Sequence, residues 1–229
     1  MNQSICFSGS GWAFIYYLGI AKYMQEKFNL ENVKYYGVSG GCIPIIFLAL
    51  DYKIDSLFDK IKNFALFCNN GYINTSLYLY KFMNEICDLL PQDICSRIQG
   101  KVIFSATRLP WFMNELLEKF DDKNELFDAL ICSCYSPLFF PSTIGSYRNN
   151  YYLDGMISND QPKLDEDTIV ISAFFNREIK KKKNYLTSFY YPGNIEEIEE
   201  MFRQGYIDAE NNLDLFVNKN FKLKEMIKS

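Results

Sequence analysis

The feature that most constrains the fold is a pattern that occurs twice within the first fifty residues: a short apolar run, a glycine-rich turn and an apolar helix. The run Ser4–Phe7 is followed by the turn Ser8–Gly11 and by a segment with helical apolar spacing, Trp12–Phe28. The run Val33–Tyr36 is followed by the turn Gly37–Gly41 and a second apolar helix. Two strand–turn–helix units in succession are typical of a parallel sheet with helices on its faces, so we expect an α/β fold.

The later segments extend this pattern. Apolar spacing predicts further helices over Cys42–Leu50, Ile54–Leu90, Asn124–Cys134 and Ile195–Tyr206. Runs rich in β-branched and aromatic residues predict strands over Lys101–Thr107, Tyr151–Leu153 and Thr168–Ser172. The run Phe112–Phe120 stays open, because its residues favour a helix while its length suits a strand. No repeat or linker divides the chain, which predicts a single domain over residues 1–229, a three-layer α/β/α fold with a mainly parallel central sheet.

The composition excludes several classes of function. The chain has no histidine, which removes the Ser-His-Asp triad, the Cys-His dyad and zinc sites built on imidazole. A net charge of -4 lacks the basic surface expected of a nucleic-acid binder, so we expect no nucleic-acid partner. Seven cysteines without paired C-x-x-C spacing predict reduced thiols. Because no apolar run near the start is long enough to span a bilayer and no charged leader precedes it, the sequence predicts a soluble, cytoplasmic protein.

The second glycine turn carries the motif G-x-S-x-G, as Gly37-Val38-Ser39-Gly40-Gly41. Placed between a strand and a helix, this motif forms a nucleophile elbow, in which the glycines permit a sharp turn that lifts the serine out of the sheet. The helix N-terminus behind it favours negative charge. The sequence therefore predicts Ser39 as a nucleophile.

A catalytic serine needs a base, and without histidine the candidates are carboxylates. Asp154 precedes Gly155 directly after the predicted strand Tyr151–Leu153, so it would project at a strand end, where α/β enzymes place reactive groups. On local sequence alone, an Asp-Gly dipeptide is more typical of a turn. Both interpretations of Asp154 stay open at this point.

The first glycine turn, Ser8–Gly11, offers backbone N–H groups that can bind an oxyanion or a phosphate. A dinucleotide-binding fingerprint would need a third glycine at position 14 and an acidic residue at position 36, but this chain has Phe14 and Tyr36 there. A Rossmann-type cofactor site is therefore disfavoured.

Together, the two glycine turns, the small-residue and proline stretch Cys132–Pro137 and the segment Asp154–Pro162 resemble the patatin-like phospholipase family. The resemblance extends from Ser4 to about Asp208, and Gly205–Ala209 is also similar to a helix segment common in these proteins. Ser10 and Met156 stand where many relatives have glycine.

The resemblance implies a serine acyl hydrolase of the phospholipase A type that cleaves fatty acyl esters of lipids without a metal or cofactor. It implies Ser39 as nucleophile, Asp154 as base, and Gly9, Ser10 and Gly11 as the oxyanion hole. A free aspartate is a weak base, so we expect Asp154 to be partly buried, which raises its pKa. An acyltransferase and a catalytically silent lipid-binding protein on the same fold are the alternatives.

A lipid substrate requires contact with a lipid surface. Arg177 and Lys180–Lys183 lie next to Tyr185, Phe189, Tyr190 and Tyr191, a combination that suits an anionic membrane or lipid-droplet surface. The alternative interpretation of this segment is a solvated loop, which is the usual state of a run of charges.

Overall fold

The computed structural model describes residues 3–68, 75–136, 144–163, 165–174, 186–189 and 192–224. The strands in these ranges are β1 Gln3–Phe7, β2 Val33–Val38, β3 Val102–Arg108, β4 Met113–Leu117, β5 Gly145–Tyr147, β6 Asn150–Asp154 and β7 Ile169–Ile171. The α-helices are α1 Phe14–Lys27, α2 Cys42–Ala49, α3 Ile54–Cys68, α4 Thr75–Asp88, α5 Ile94–Ile98, α6 Lys123–Cys134, α7 Ile195–Glu210 and α8 Leu213–Asn218. None of these helices is long and apolar enough to cross a bilayer.

The strands form one mixed sheet in the order β5-β6-β3-β2-β1-β7, with β4 paired to β3. Strands β7, β1, β2 and β3 are parallel, whereas β4, β5 and β6 run antiparallel to their neighbours. Helices flank this sheet, and the predicted three-layer α/β/α class with a mainly parallel sheet is confirmed.

The register of β3 is the feature of the sheet that matters most for the site. Strand β2 pairs with the first part of β3 and ends with Val38 opposite Ser105. Strand β6 pairs with the last part of β3 and ends with Asp154 opposite Ala106. Because β4 occupies the other edge of β3 over residues 104–108, β2 and β6 share one edge and meet end to end there.

The predicted elements differ from the observed ones in three places. The predicted helix Ile54–Leu90 is two helices, α3 and α4, and residues 69–74 between them lie outside the described ranges. Within the open run Phe112–Phe120, β4 is a strand, because pairing with β3 in a hairpin outweighs the helix propensity of its residues. The short elements β5, α5 and α8 were not predicted, since three to six residues are too few to show a period.

The crossing of α1 and α7 holds the helical layer together on one face of the sheet. Glycines at the crossing let the two backbones touch: a Cβ on Gly19 would lie 1.9 Å from the Phe202 carbonyl oxygen, and one on Gly205 would lie 2.0 Å from the Tyr16 carbonyl oxygen. The buried Asp208 carboxylate accepts hydrogen bonds there from the Tyr16 hydroxyl at 3.0 Å and from the Gln204 amide at 2.6 Å. The segment Gly205–Ala209, noted in the sequence, is therefore the part of α7 that docks on α1.

Replacing Gly205 by alanine tests this crossing. Alanine has a helix propensity about 1 kcal/mol better than glycine, but the added methyl group meets a backbone carbonyl that cannot rotate away. We expect Gly205→Ala to lower the free energy of unfolding by about 1–3 kcal/mol in urea titrations. The matched control is Glu210→Ala at the exposed end of the same helix, which should change the free energy by less than about 0.5 kcal/mol. A Gly205→Ala variant as stable as the parent would contradict the close approach.

Candidate active site

The elbow at the end of β2 has the geometry that the sequence predicts. Ser39 has a φ of +52°, a left-handed conformation that is unusual for a serine and is a local strain of the kind found at functional sites. Glycine is needed on both sides, because a Cβ on Gly37 would lie 2.7 Å from the Cys42 Cα atom and one on Gly41 would lie 2.2 Å from the Phe7 carbonyl oxygen. The turn therefore packs tightly between the start of α2 and the end of β1.

Ser133 of α6 fixes this strained turn, a role that was not predicted from the sequence. The Ser39 backbone N–H donates to Ser133 Oγ at 3.1 Å, and the Ser133 hydroxyl donates in turn to the Ser105 carbonyl oxygen at 2.7 Å. The Ser133 side chain thereby ties the elbow to α6 and to strand β3. Ser133 lies in the small-residue stretch of the sequence, which is the one signal that pointed near it.

Asp154 is buried and held at both its backbone and its side chain. Its N–H donates to the Tyr135 carbonyl oxygen at 2.7 Å, and its own carbonyl oxygen accepts from the Thr107 hydroxyl at 2.8 Å. Its Oδ1 atom accepts from the Met156 backbone N–H at 2.9 Å. Because this last donor is a main-chain group, the replacement of glycine by Met156 leaves the hydrogen bond in place.

Burial raises the pKa of the Asp154 carboxyl to about 7. Hydrogen bonds from the Met156 N–H and the Ser39 hydroxyl oppose this rise, and the negative charge of Asp160 adds to it. The expected burial of the aspartate is thus present. A carboxylate with a pKa near neutrality beside a serine hydroxyl has the properties of a general base.

Asp160 is a second buried carboxylate, and it was not singled out in the sequence. Its Oδ1 atom accepts a hydrogen bond from the Gly9 backbone N–H at 2.7 Å, and burial raises its pKa to about 6. The Met156 side chain packs beside it, since a Cβ on Gly9 would lie 2.1 Å from Met156 Cγ. The glycine loop after β1 is therefore interlocked with the segment that follows Asp154.

The backbone N–H groups near Ser39 come from both glycine turns. The bond between Gly9 and Asp160 means that Gly9 could serve in an oxyanion hole, as the sequence led us to expect, only if that bond broke. Within the described part of the chain, the N–H groups of Ser10, Gly11 and Gly40 have no hydrogen-bond acceptor. The two turns are in contact, because a Cβ on Gly40 would lie 2.4 Å from the Gly11 carbonyl oxygen.

A narrow apolar cavity of about 40 Å³ opens beside Ser39. Its lining residues are Gly11, Trp12, Phe14, Ser39, Gly40, Ile43, Phe82, Met83, Cys134 and Phe189. Trp12 and Phe14 pack their rings against Phe82, with centroids 5.1 and 5.9 Å apart. The lining is apolar with one hydroxyl at its side, and the volume is well below the roughly 300 Å³ at which ligand pockets begin.

The thiols near the site do not act as nucleophiles. Burial raises the pKa of Cys42 and of Cys134 far above the ordinary value, so both stay protonated at neutral pH. The thiols of six cysteines are free: Cys6, Cys42, Cys87, Cys95, Cys132 and Cys134. Among the described residues, no group of three or more cysteine, aspartate or glutamate side chains could hold a metal ion.

The basic and aromatic segment expected to meet a lipid surface falls mostly outside the described residues. Arg177, Lys180–Lys183, Tyr185, Tyr190 and Tyr191 are not described. Phe189 is described, and it is one of the residues that line the cavity beside Ser39.

Comparison with known proteins supports the resemblance. The 1-acylglycerol-3-phosphate O-acyltransferase Pnpla3 of Mus musculus is 27% identical over 90% of this chain and 57% of its own length. The omega-hydroxyceramide transacylase of Mus musculus is 24% identical over 90% of this chain and 40% of its own. The human patatin-like phospholipase domain-containing protein 2 is 27% identical over 75% of this chain and 36% of its own. The chain spans about half the length of the curated relatives it matches.

A solved structure shares the fold. VipD from Legionella pneumophila superposes with a TM-score of 0.58 at 13% identity, covering 93% of this chain and 67% of that one. The family model for patatin-like phospholipases matches residues 5–163, which include both glycine turns and the Asp154 segment. The chain belongs to the patatin-like phospholipase family, whose members named above include lipid acyltransferases.

Proposed function

We propose that this protein is a lipid acyl hydrolase in which Ser39 is the nucleophile and Asp154 the general base. The observation that carries the proposal is the meeting of β2 and β6 on one edge of β3, which sets a strained serine beside a buried carboxylate with a pKa of about 7. The apolar lining of the cavity beside Ser39 and the acyltransferase and transacylase names of two relatives support an acyl lipid as the substrate.

In the first half of the reaction, the Ser39 hydroxyl attacks the ester carbonyl carbon while its proton passes to Asp154. The negative charge on the former carbonyl oxygen is stabilised by the N–H groups of Ser10, Gly11 and Gly40. The ester C–O bond then breaks, and the proton on Asp154 goes to the departing alkoxide. The products of this half are a released alcohol and an acyl group bound to Ser39.

In the second half, water attacks the acyl carbon and gives its proton to Asp154. The bond to Ser39 Oγ breaks, the proton returns to that oxygen, and the fatty acid leaves. The burial that raises the pKa of Asp154 makes it a stronger base than an exposed aspartate, although part of the population is protonated at pH 7.

Acyl transfer is the second candidate function. Two relatives carry the names of an acyltransferase and a transacylase, and Ser39 is only 7% exposed, so access of water to an acyl group on it is restricted. A lipid hydroxyl that enters through the apolar cavity would take the place of water in the second half. Chromatography of the products formed with a labelled acyl ester, with and without a monoacylglycerol acceptor, distinguishes free fatty acid from transferred acyl groups.

Substitution of the two proposed catalytic residues should remove turnover without unfolding the protein. We expect Asp154→Asn to lower kcat/KM for a short-chain nitrophenyl ester by about 10²–10⁴-fold, since an amide cannot accept the proton. Ser39→Ala should leave no activity above background. Circular dichroism spectra verify that the variants are folded, and Ser96→Ala on the remote helix α5 is the matched control with full activity. Full turnover by Ser39→Ala would rule out the proposed nucleophile.

The pH dependence of kcat/KM should report the raised pKa of Asp154. The base works only when it is deprotonated, so kcat/KM should be half-maximal near pH 7, constant well above it, and fall about tenfold per pH unit well below it. Asp160→Asn removes a neighbouring negative charge but keeps an oxygen for the Gly9 N–H, so it should move this fall to lower pH. The control is Asp59→Asn on the remote helix α3, which should leave the profile in place. A midpoint near pH 4, the value of an exposed aspartate, would show that the base is not a buried carboxylate.

A further inference from the structure

The hairpin that joins β3 to β4 ends in exposed apolar side chains. Trp111, Phe112 and Met113 are 75%, 59% and 64% exposed. Tyr151 of the neighbouring strand β6 is 58% exposed and adjoins the hairpin, because its carbonyl oxygen accepts the Leu109 N–H at 2.8 Å. Trp111, Phe112, Met113 and Tyr151 are together called the hairpin surface below.

The fold does not account for these side chains. Tryptophan and phenylalanine are mostly buried in soluble proteins, and contiguous exposed apolar groups mark interaction sites. Phe112 has a φ of +54°, a conformation that costs energy for an aromatic residue and that asparagine or glycine adopts more easily. Neither Trp111 nor Phe112 makes a ring contact with another described residue. An aromatic residue kept at a strained and exposed position points to a role in binding.

The hairpin surface lies at the same end of the sheet as the candidate site. Ala106 of β3 is opposite Asp154, and the chain continues past that level in the same direction through Arg108 to the tip. At about 3.3 Å per residue, the tip lies roughly 10 Å beyond the level of Asp154 along β3. A flat surface that touched the tip would therefore face the end of the sheet at which Ser39 lies.

The charges around the hairpin surface identify the chemistry of its partner. The six residues 109–114 contain no ionisable side chain. Behind them, the Arg108 guanidinium bonds to the Glu115 carboxylate at 3.3 Å and to the Asn150 side chain at 2.7 Å, so it is already paired. The tip can enter an apolar medium without desolvating a charge, while the net charge of -4 gives no attraction to an anionic surface.

We propose that the hairpin surface inserts into the interfacial layer of a neutral phospholipid surface and so sets the candidate site against its lipid substrate. Trp111 and Tyr151 have an apolar body and one polar group, the combination that favours the boundary between headgroups and acyl chains. Phe112 and Met113 supply purely apolar area. The proposal rests on the lipid substrate of the proposed function. It differs from docking through the basic segment Arg177–Lys183, because insertion of uncharged groups is insensitive to salt.

Binding to phosphatidylcholine vesicles tests the proposal without reference to turnover. The variant carries Trp111→Ser, Phe112→Asn and Met113→Ser, and asparagine suits the positive φ at position 112. We expect the parent protein to cosediment with the vesicles equally at 0.15 and 0.5 M NaCl, concentrations of about physiological and raised ionic strength. The triple variant should bind about tenfold more weakly or worse. The control replaces two exposed apolar residues elsewhere, Val217→Ser and Leu223→Ser, and should bind like the parent.

The proposal would be overturned by no vesicle binding of the parent protein, by equal binding of the triple variant, or by binding abolished at 0.5 M NaCl, which lies about threefold above physiological ionic strength. A parent protein that sediments as a dimer, and a triple variant that sediments as a monomer, would assign the surface to a second copy of the chain instead.

Turnover of a soluble short-chain ester tests the proposed hydrolase function separately from the docking proposal. If the triple variant loses vesicle binding but the parent does not turn over the ester, docking is supported and the hydrolase function is ruled out. If the parent turns over the ester but the triple variant binds vesicles as the parent does, the hydrolase function is supported and docking is ruled out.

Discussion

The structure of the site depends on the register of one strand. Strand β3 pairs with β2 up to Ser105 and with β6 from Ala106 onward, along the same edge. The two partner strands arrive from opposite directions, so the residues at their ends, Ser39 and Asp154, come together although 115 positions separate 39 from 154 in the chain. A shift of this pairing by one residue would turn Asp154 to the other face of the sheet. The hydrogen bonds of Asp154 to Tyr135 and Thr107 hold the register in place.

Close packing around Ser39 and Asp154 determines the chemical properties of these two side chains. Ser133 locks the strained elbow, and Asp160 and Met156 hold the first glycine loop against the Asp154 segment. The same packing excludes water from Asp154, and this raises its pKa to about 7. In a chain without histidine, burial thus gives a carboxylate the basicity that imidazole has in solution. An ionised, buried carboxylate is unfavourable for stability, which is a common feature of functional sites.

The sequence predicts the parts of the site that local chemistry determines. The elbow at Ser39 can be recognised in the sequence because the glycines that its turn requires all lie within five residues. The role of Asp154 as a base is predicted only from the missing histidine and the family resemblance, since an Asp-Gly dipeptide also suits a turn. Ser133 and Asp160 were not predicted individually, although both lie in segments that carry the family resemblance, because their partners lie 94 and 151 positions away in the chain. The sequence left the choice between helix and strand undecided at β4 for the same reason, because the pairing of β4 with β3 is a tertiary contact.

The proposed function depends on a covalent intermediate that Ser39 forms with Asp154 as its base. Peptide mass spectrometry of the protein after reaction with a fluorophosphonate tests it most directly, because the probe bonds to an activated serine oxygen and stays there. We expect one adduct per chain, on the peptide that contains Ser39, with a rate that rises as Asp154 loses its proton near pH 7 and that falls in Asp154→Asn. An adduct on another serine, or labelling of Ser39 at the same rate in Asp154→Asn, would contradict it.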